Sequence, residues 1–141
     1  METLGQKQRR FSRAIAKFIT WAHGCGYEFT FAEAYRSDEQ AEIHAMGAQG
    51  RAELVRFLMP QFPELARRIA NNTGNGIRNS LHESRLAIDL NLFVGNTWIS
   101  DGKSLHWKAL AEKWESMGKD HRAGYRWGDS NHFSIEHEGR K

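Results

Sequence analysis

The hydrophobic patterning of this chain predicts an α+β fold, a small and mainly antiparallel sheet with helices packed on it. Three observations carry that expectation. Phe11, Ala14, Ile15, Phe18, Ile19 and Ala22 recur at helical spacing. Leu86 to Val94 alternates, with Ile88, Leu90 and Leu92 on one side and Ala87, Asp89 and Asn91 on the other. His132 to Glu136 alternates in the same way, Phe133 and Ile135 against His132, Ser134 and Glu136. Periods of about 3.6 and 2 residues distinguish helix from strand.

The remaining elements follow from local signals. Residues 6–23 read as an amphipathic helix that Gly24 and Gly26 end. Tyr27 to Ala34 is aromatic-rich and alternates weakly, as a strand would. Arg36-Ser37-Asp38 opens a second helix, with Ser37 as N-cap and Gln40 at the third helical position, a capping-box pattern. Residues 51–71 carry Leu54, Phe57, Leu58, Leu65 and Ile69 in helical register, interrupted by Pro60 and Pro63. The run from Asn71 to Gly76 is a loop by its turn chemistry. Gly95-Asn96 is a turn, and Thr97 to Ile99 returns as a short strand. Lys103 to Met117 reads as a helix with Leu105, Leu110 and Trp114 apolar, stopped by Gly118. No repeat or linker interrupts the chain, so residues 1–141 are expected to form one domain.

The composition narrows the class. With 141 residues, 40% hydrophobic and 26% charged, the chain has enough apolar material for one core and is neither fibrous nor disordered in character. A formal charge of +3 suits a polyanionic partner, nucleic acid or an anionic cell wall, and equally an ordinary Lys and Arg surface. The basic residues are scattered apart from a cluster between Lys7 and Arg13. The single cysteine, Cys25, permits no internal disulfide and no cysteine-based zinc site. It is expected as a small buried residue near a helix end. No stretch reaches the length of a membrane span, and Met1 to Arg10 has no apolar region. The expectation is synthesis in the cytoplasm, no membrane insertion and a monomeric state.

The residues that carry chemistry are dispersed. Ser80-Leu81-His82 precedes Ala87-Ile88-Asp89, and Asp129-Ser130-Asn131-His132 follows far downstream. Two imidazoles and a carboxylate can hold a zinc ion and leave one coordination position open, which is the mark of a catalytic rather than a structural site. Strand phase puts Asp89 and His132 on the faces opposite the core residues, so pairing of the two strands would bring them together. His82 would enter from the preceding loop. Asp129, three residues before His132, is placed to act as general base. Arg36, between a strand and a helix, could stabilise an oxyanion. Read singly, Asp129 is a turn residue after Gly128, Arg36 a solvated charge or a salt-bridge partner and His82 a surface or loop residue. His23, His44, His106, His121 and His137 are read as non-ligands.

Taken together, these residues resemble the zinc peptidases of peptidoglycan, which include D-alanyl-D-alanine carboxypeptidases and dipeptidases and the L-alanyl-D-glutamate endopeptidases of phage endolysins. The pattern stands here as Ser80-x-His82, Ala87-x-Asp89 and Asp129-x-x-His132, with Tyr35-Arg36-Ser37 and Gln40 upstream and Tyr125-Arg126-Trp127-Gly128 before the last motif. The resemblance implies a hedgehog/D-Ala-D-Ala peptidase-like fold and a Zn2+ cofactor held by His82, Asp89 and His132. It implies Asp129 as catalytic base, Arg36 as a catalytic and substrate-binding residue and Ser80 as a substrate-binding residue. An Asp rather than a Glu base is similar to the phage endopeptidase branch. The partner implied is bacterial peptidoglycan, met after release from the host cytoplasm, and not nucleic acid.

Three departures accompany the resemblance. Arg85 and Ala34 stand where the family usually has glycine, and Gly128 adjoins Asp129 without intervening residues. With Arg85 there, the strand is expected to start in a conformation that a non-glycine residue accepts, and Arg85 to extend toward the cleft. Competing functions are a D,D-carboxypeptidase or dipeptidase, a non-catalytic wall-binding module, and a His-Asn-His nuclease prompted by Asn131-His132. The nuclease reading lacks a basic run along which a nucleic-acid backbone could lie.

Overall fold

The computed structural model describes residues 2–71 and 79–141. It is a mixed α+β fold with an antiparallel sheet and several packed helices. Helix α1 spans Leu4–Gly24, and strand β1 spans Tyr27–Glu33. Helices α2 (Asp38–Ala45), α3 (Gly47–Leu58) and α4 (Pro63–Ala70) follow. Strands β2 (Ala87–Val94) and β3 (Thr97–Trp98) precede helix α5 (Leu105–Ser116), and strands β4 (His121–Ala123) and β5 (His132–Ile135) close the described chain. The sheet order is β1-β2-β5-β4, with β3 also on β2, and every pairing is antiparallel.

Local chemistry explains the boundaries. Thr3 caps α1, accepting from the Gln6 amide, and the Gln6 side chain returns to the Thr3 amide. This reciprocal box satisfies two amides that the first turn leaves unpaired. Ser37 caps α2 by accepting from the Gln40 amide at 3.2 Å. Only that half of the expected box forms, because the Gln40 side chain lies 3.5 Å from the Glu33 carboxylate instead. Pro63 occupies the first turn of α4, where its missing N–H costs nothing. The loop expected at 71–76 falls, apart from Asn71, outside the described residues.

The core lies between one face of the sheet and helices α1 and α5. Phe11, Ile15, Phe18 and Ala22 of α1 meet Ile88, Leu90 and Leu92 of β2, Phe133 and Ile135 of β5, and Trp107, Leu110, Ala111 and Trp114 of α5. The Phe18 ring sits 5.0 Å from that of Phe133 and 5.5 Å from that of Trp114, the latter edge-to-face. Trp114 also donates its indole N–H toward Ser134 O (3.0 Å) and Arg122 O (3.1 Å), tying α5 to the β4–β5 pair. Ala41, Ala66 and Ile69 are buried outside this core, where α2, α3 and α4 pack.

Several expectations need correcting. Phe57 is 79% exposed and Leu65 is also exposed, so the 51–71 pattern overstates the buried stripe. Leu105 points outward at 77%, and Trp107 and Ala111 supply the inner face of α5 instead. Cys25 is exposed at the C-cap of α1, beyond the last buried residue of that helix, Ala22. Strand β4 leaves no signal in the sequence. Its three residues are too few to show alternation. No helix among the described residues is long and apolar enough to cross a membrane.

His121 gives this core a pH dependence. Its ring lies 4.1 Å from that of Trp114, and Nδ1 is 3.0 Å from Trp114 O. Burial holds its pKa below the ordinary histidine value, against the smaller opposing pull of the Trp114 carbonyl and Asp120. A group depressed in the folded state contributes stability above its unfolded pKa, about 6.5, that is lost as pH falls through the folded value. The unfolding free energy of the wild type, read by urea denaturation, is therefore expected to fall progressively below about pH 6.5, and His121→Gln to flatten that slope.

Candidate metal centre

Strand phase builds the centre. In β2 and β5 the side chains of Ile88 and Phe133 go to the core, and Asp89 and His132 go to the opposite face. The register sets Asp89 directly across from His132. His82 enters from the turn before β2. That turn is closed by Arg85 N–H to His82 O (3.1 Å) and Leu86 N–H to Leu81 O (2.9 Å). From the C-terminal side, Arg140 donates to Asn79 O (3.1 Å) and Ser84 Oγ (3.0 Å), which braces the turn.

The three side chains converge on one point. His132 Nδ1 is 3.0 Å from Asp89 Oδ1, His82 Nε2 is 3.2 Å from the same oxygen, and the two ring nitrogens are 3.2 Å apart. Tetrahedral zinc with nitrogen and oxygen ligands at about 2.0–2.2 Å places its ligands about 3.3–3.6 Å from one another. The triangle matches that edge to a few tenths of an ångström. Both histidines are buried, and Asp89 is half-buried. The residues present fit a divalent metal such as zinc, and the arrangement is compatible with a metal-dependent hydrolase. Among the described residues it is the cluster with this geometry, and none of the other histidines joins it.

The electrostatics agree with a cation site. Burial alone would raise the Asp89 carboxyl, but hydrogen bonds from His132 and His82 hold it down at about 2. It is therefore ionised, as a ligand must be. The outer ring nitrogens, His82 Nδ1 and His132 Nε2, are buried without a hydrogen-bond partner. Glu33 Oε2 stands 3.7 Å behind His82 Nδ1. A carboxylate behind a ligating imidazole is the usual means of fixing its ring.

Glu33 was missed in the sequence. It reaches the site because β1 carries a bulge between Phe31 and Glu33. Without that shift Ala32 would lie opposite Asp89, and Glu33 would fall one position along. The extra residue re-aims Glu33 to the metal face, a common use of bulges beside functional sites. The same carboxylate takes Arg36 bidentately, Nη2 at 2.6 Å and Nε at 3.1 Å. The only sequence signal was an acid three residues before Arg36.

A cavity of about 430 Å³ opens over the triangle and is lined by Arg36, Ser80, Trp127 and Asp129 as well as the three clustered residues. Arg36, Ser80 and Asp129 thus share one wall system with the cluster. Ser80 Oγ is buried there without a partner. Burial pushes the Asp129 carboxyl up and nearby Asp89 adds to this, while His132, His82 and Arg36 oppose it. Asp129 is set by a tight turn. Its N–H donates to Gly124 O (2.9 Å), and Gly128 holds φ +87°, which a side chain would resist. A Cβ on Gly124 would collide with the Asp129 carbonyl and come within 2.9 Å of His132 Cβ.

The expected role of Arg85 is corrected. Its φ is +53°, the left-handed region, so the backbone keeps the conformation that glycine would favour. Its guanidinium stacks 4.5 Å over the Tyr35 ring and does not line the cavity over the cluster. That contact holds β2's approach against the β1–α2 connection.

No protein-family model matches the chain, and no curated protein matches it in sequence.

Two outcomes follow for the centre. Zinc at about a hundredfold over its Kd is expected to raise stability by about 2.7 kcal/mol, reversed by EDTA and lost in His132→Ala, read by thermal melts and equilibrium dialysis. Gly124→Ala is expected to destabilise by about 1–3 kcal/mol and to weaken zinc binding, because the turn must move to admit a methyl group.

Proposed function

We propose that this chain is a zinc peptidase that cleaves the stem peptides of bacterial peptidoglycan, an L-alanyl-D-glutamate endopeptidase of the phage-endolysin kind. The observation that carries the reading is the His82–Asp89–His132 triangle with Asp129 on the wall of the same cavity. The order and spacing of the motifs add the substrate class through the resemblance. In this reading the protein is made in the host cytoplasm, acts as a monomer and meets the wall once lysis begins.

When bound, zinc supplies a Lewis acid that polarises the scissile carbonyl and makes a water acidic enough to attack near neutral pH. Asp129 takes the proton at its carboxylate and returns it to the leaving amine. Arg36, held flat by Glu33, presents positive charge to the oxyanion. Ser80 Oγ offers a hydrogen bond to the substrate backbone. Glu33 sets a negative charge 3.7 Å behind His82 Nδ1. Asp129 lines a second cavity besides the one over the triangle, so it has open space on more than one side. This favours cutting within a chain over trimming a terminal residue, which needs a site closed at one end.

Purified peptidoglycan is the test substrate, with as-isolated protein, EDTA-treated protein and EDTA followed by zinc. Clearing that EDTA stops and zinc restores, with new N-terminal D-glutamate by mass analysis, is the expected result. Asp129→Asn is expected to lower kcat by about 10²–10⁴-fold while zinc binding persists. Release of free D-alanine instead would assign a carboxypeptidase. Absence of any metal-dependent product from several wall types would overturn the peptidase reading.

A further inference from the structure

We propose that the second cavity, on the far side of Asp129, is a sugar subsite that takes the hexosamine ring bearing the cleaved peptide. The inference rests on the peptidase reading above and adds to it a recognition element outside the metal centre. The cavity has a volume of about 320 Å³. That lies at the lower end of small-molecule pockets, about 300–1,000 Å³, and suits one ring rather than an extended peptide.

Its lining has the chemistry of a pyranose. Trp98 is 59% exposed, although an indole of that size ordinarily hides most of its surface. Asn91, Ser100 and Asn131 surround it with amides and a hydroxyl. A pyranose presents an apolar C–H face to an aromatic ring and hydroxyls at its rim. Among the described residues no Lys or Arg lines this cavity, whereas Arg36, Arg140 and Lys141 line the one over the metal centre. A neutral sugar fits the first, and the carboxylate-bearing part of a stem peptide fits the second.

The spacing agrees. Asp89 and Asn91 share one face of β2, two residues or about 7 Å apart. Trp98 lies opposite Phe93, two residues further along that face. The edge of the cavity at Asn91 therefore lies about 7 Å, the length of two extended residues, from Asp89. In peptidoglycan L-alanine is joined to the muramic sugar through a lactoyl bridge. Cleavage after L-alanine leaves one residue, about 3.5 Å long, and that bridge between the reacting carbonyl and the ring. A free peptide of the same sequence would leave the Trp98 cavity unfilled.

The test pairs two substrates and one sugar. Wild-type zinc-loaded protein is given a muramoyl stem peptide and the same peptide with an N-acetyl cap in place of the sugar. A kcat/KM higher by about tenfold on the muramoyl form is expected, the scale of one aromatic contact. Trp98→Ala should remove most of that advantage without changing the capped-peptide rate, and Trp98→Tyr should retain it. Equal wild-type rates, or an equal loss on both substrates in Trp98→Ala, would overturn the subsite. Separately, the peptide-free N-acetylglucosaminyl-N-acetylmuramic acid disaccharide is titrated into the full chain and followed by NMR. Shifts at the Trp98 indole N–H and the Asn91 and Asn131 amides are expected, and their absence at saturating sugar overturns the proposal. Sugar shifts with neither peptide cleaved would keep the subsite and sink the peptidase reading. Cleavage of both at equal rates without sugar shifts would do the reverse.

Discussion

The pairing of β2 with β5 sets Asp89 opposite His132, and the core, the cluster and the turn carrying Asp129 all depend on that register. Side chains alternate with a period of two along a strand. A slip by one residue would send Ile88 and Phe133 to the metal face and Asp89 and His132 into the apolar core. The apolar cost of that exchange, several buried side chains at about 1.5–3 kcal/mol each, pins the register. The forces that pack Phe18, Trp114 and Phe133 thus also fix the geometry of a polar site on the other face of the same sheet. Position comes from the core, and chemistry comes from the residues the core leaves over.

Around that pair, irregular backbone does the fine placement. The bulge in β1 turns Glu33 toward His82, the left-handed Arg85 admits the chain into β2, and the Gly124–Gly128 turn folds Asp129 back over His132. Each departs from regular strand or helix geometry and lies next to the cluster. Unfavourable conformations persist where surrounding structure holds them, and they gather at functional sites. Arg85 illustrates the point. A stack on Tyr35 and the hydrogen bond from its own N–H to His82 O hold a conformation its Cβ opposes.

Much of this was legible in the sequence, for identifiable reasons. α1, β2 and β5 were readable because their alternation is strong and one face of each is buried. The clustered residues were readable because the same alternation places polar groups out of phase with the core. Glu33 was not, because a bulge breaks the count from which a face is inferred. β4 was not, because three residues carry no period. The exposure of Phe57, Leu65, Leu105 and Cys25 was not, because helical spacing states which residues share a face and is silent on what that face meets.

The amino-acid sequence by itself determined the class of fold, the strand phases and the residue types able to hold a divalent metal, since these follow from local periodicity and side-chain chemistry. Tertiary structure alone decided that His82, Asp89 and His132 meet within 3.0–3.2 Å, that Glu33 stands behind His82, and that Asp129 lines two cavities. These are distances between parts of the chain up to 50 residues apart. Strand register, a bulge and tight turns set them, and no local pattern encodes a distance of that kind.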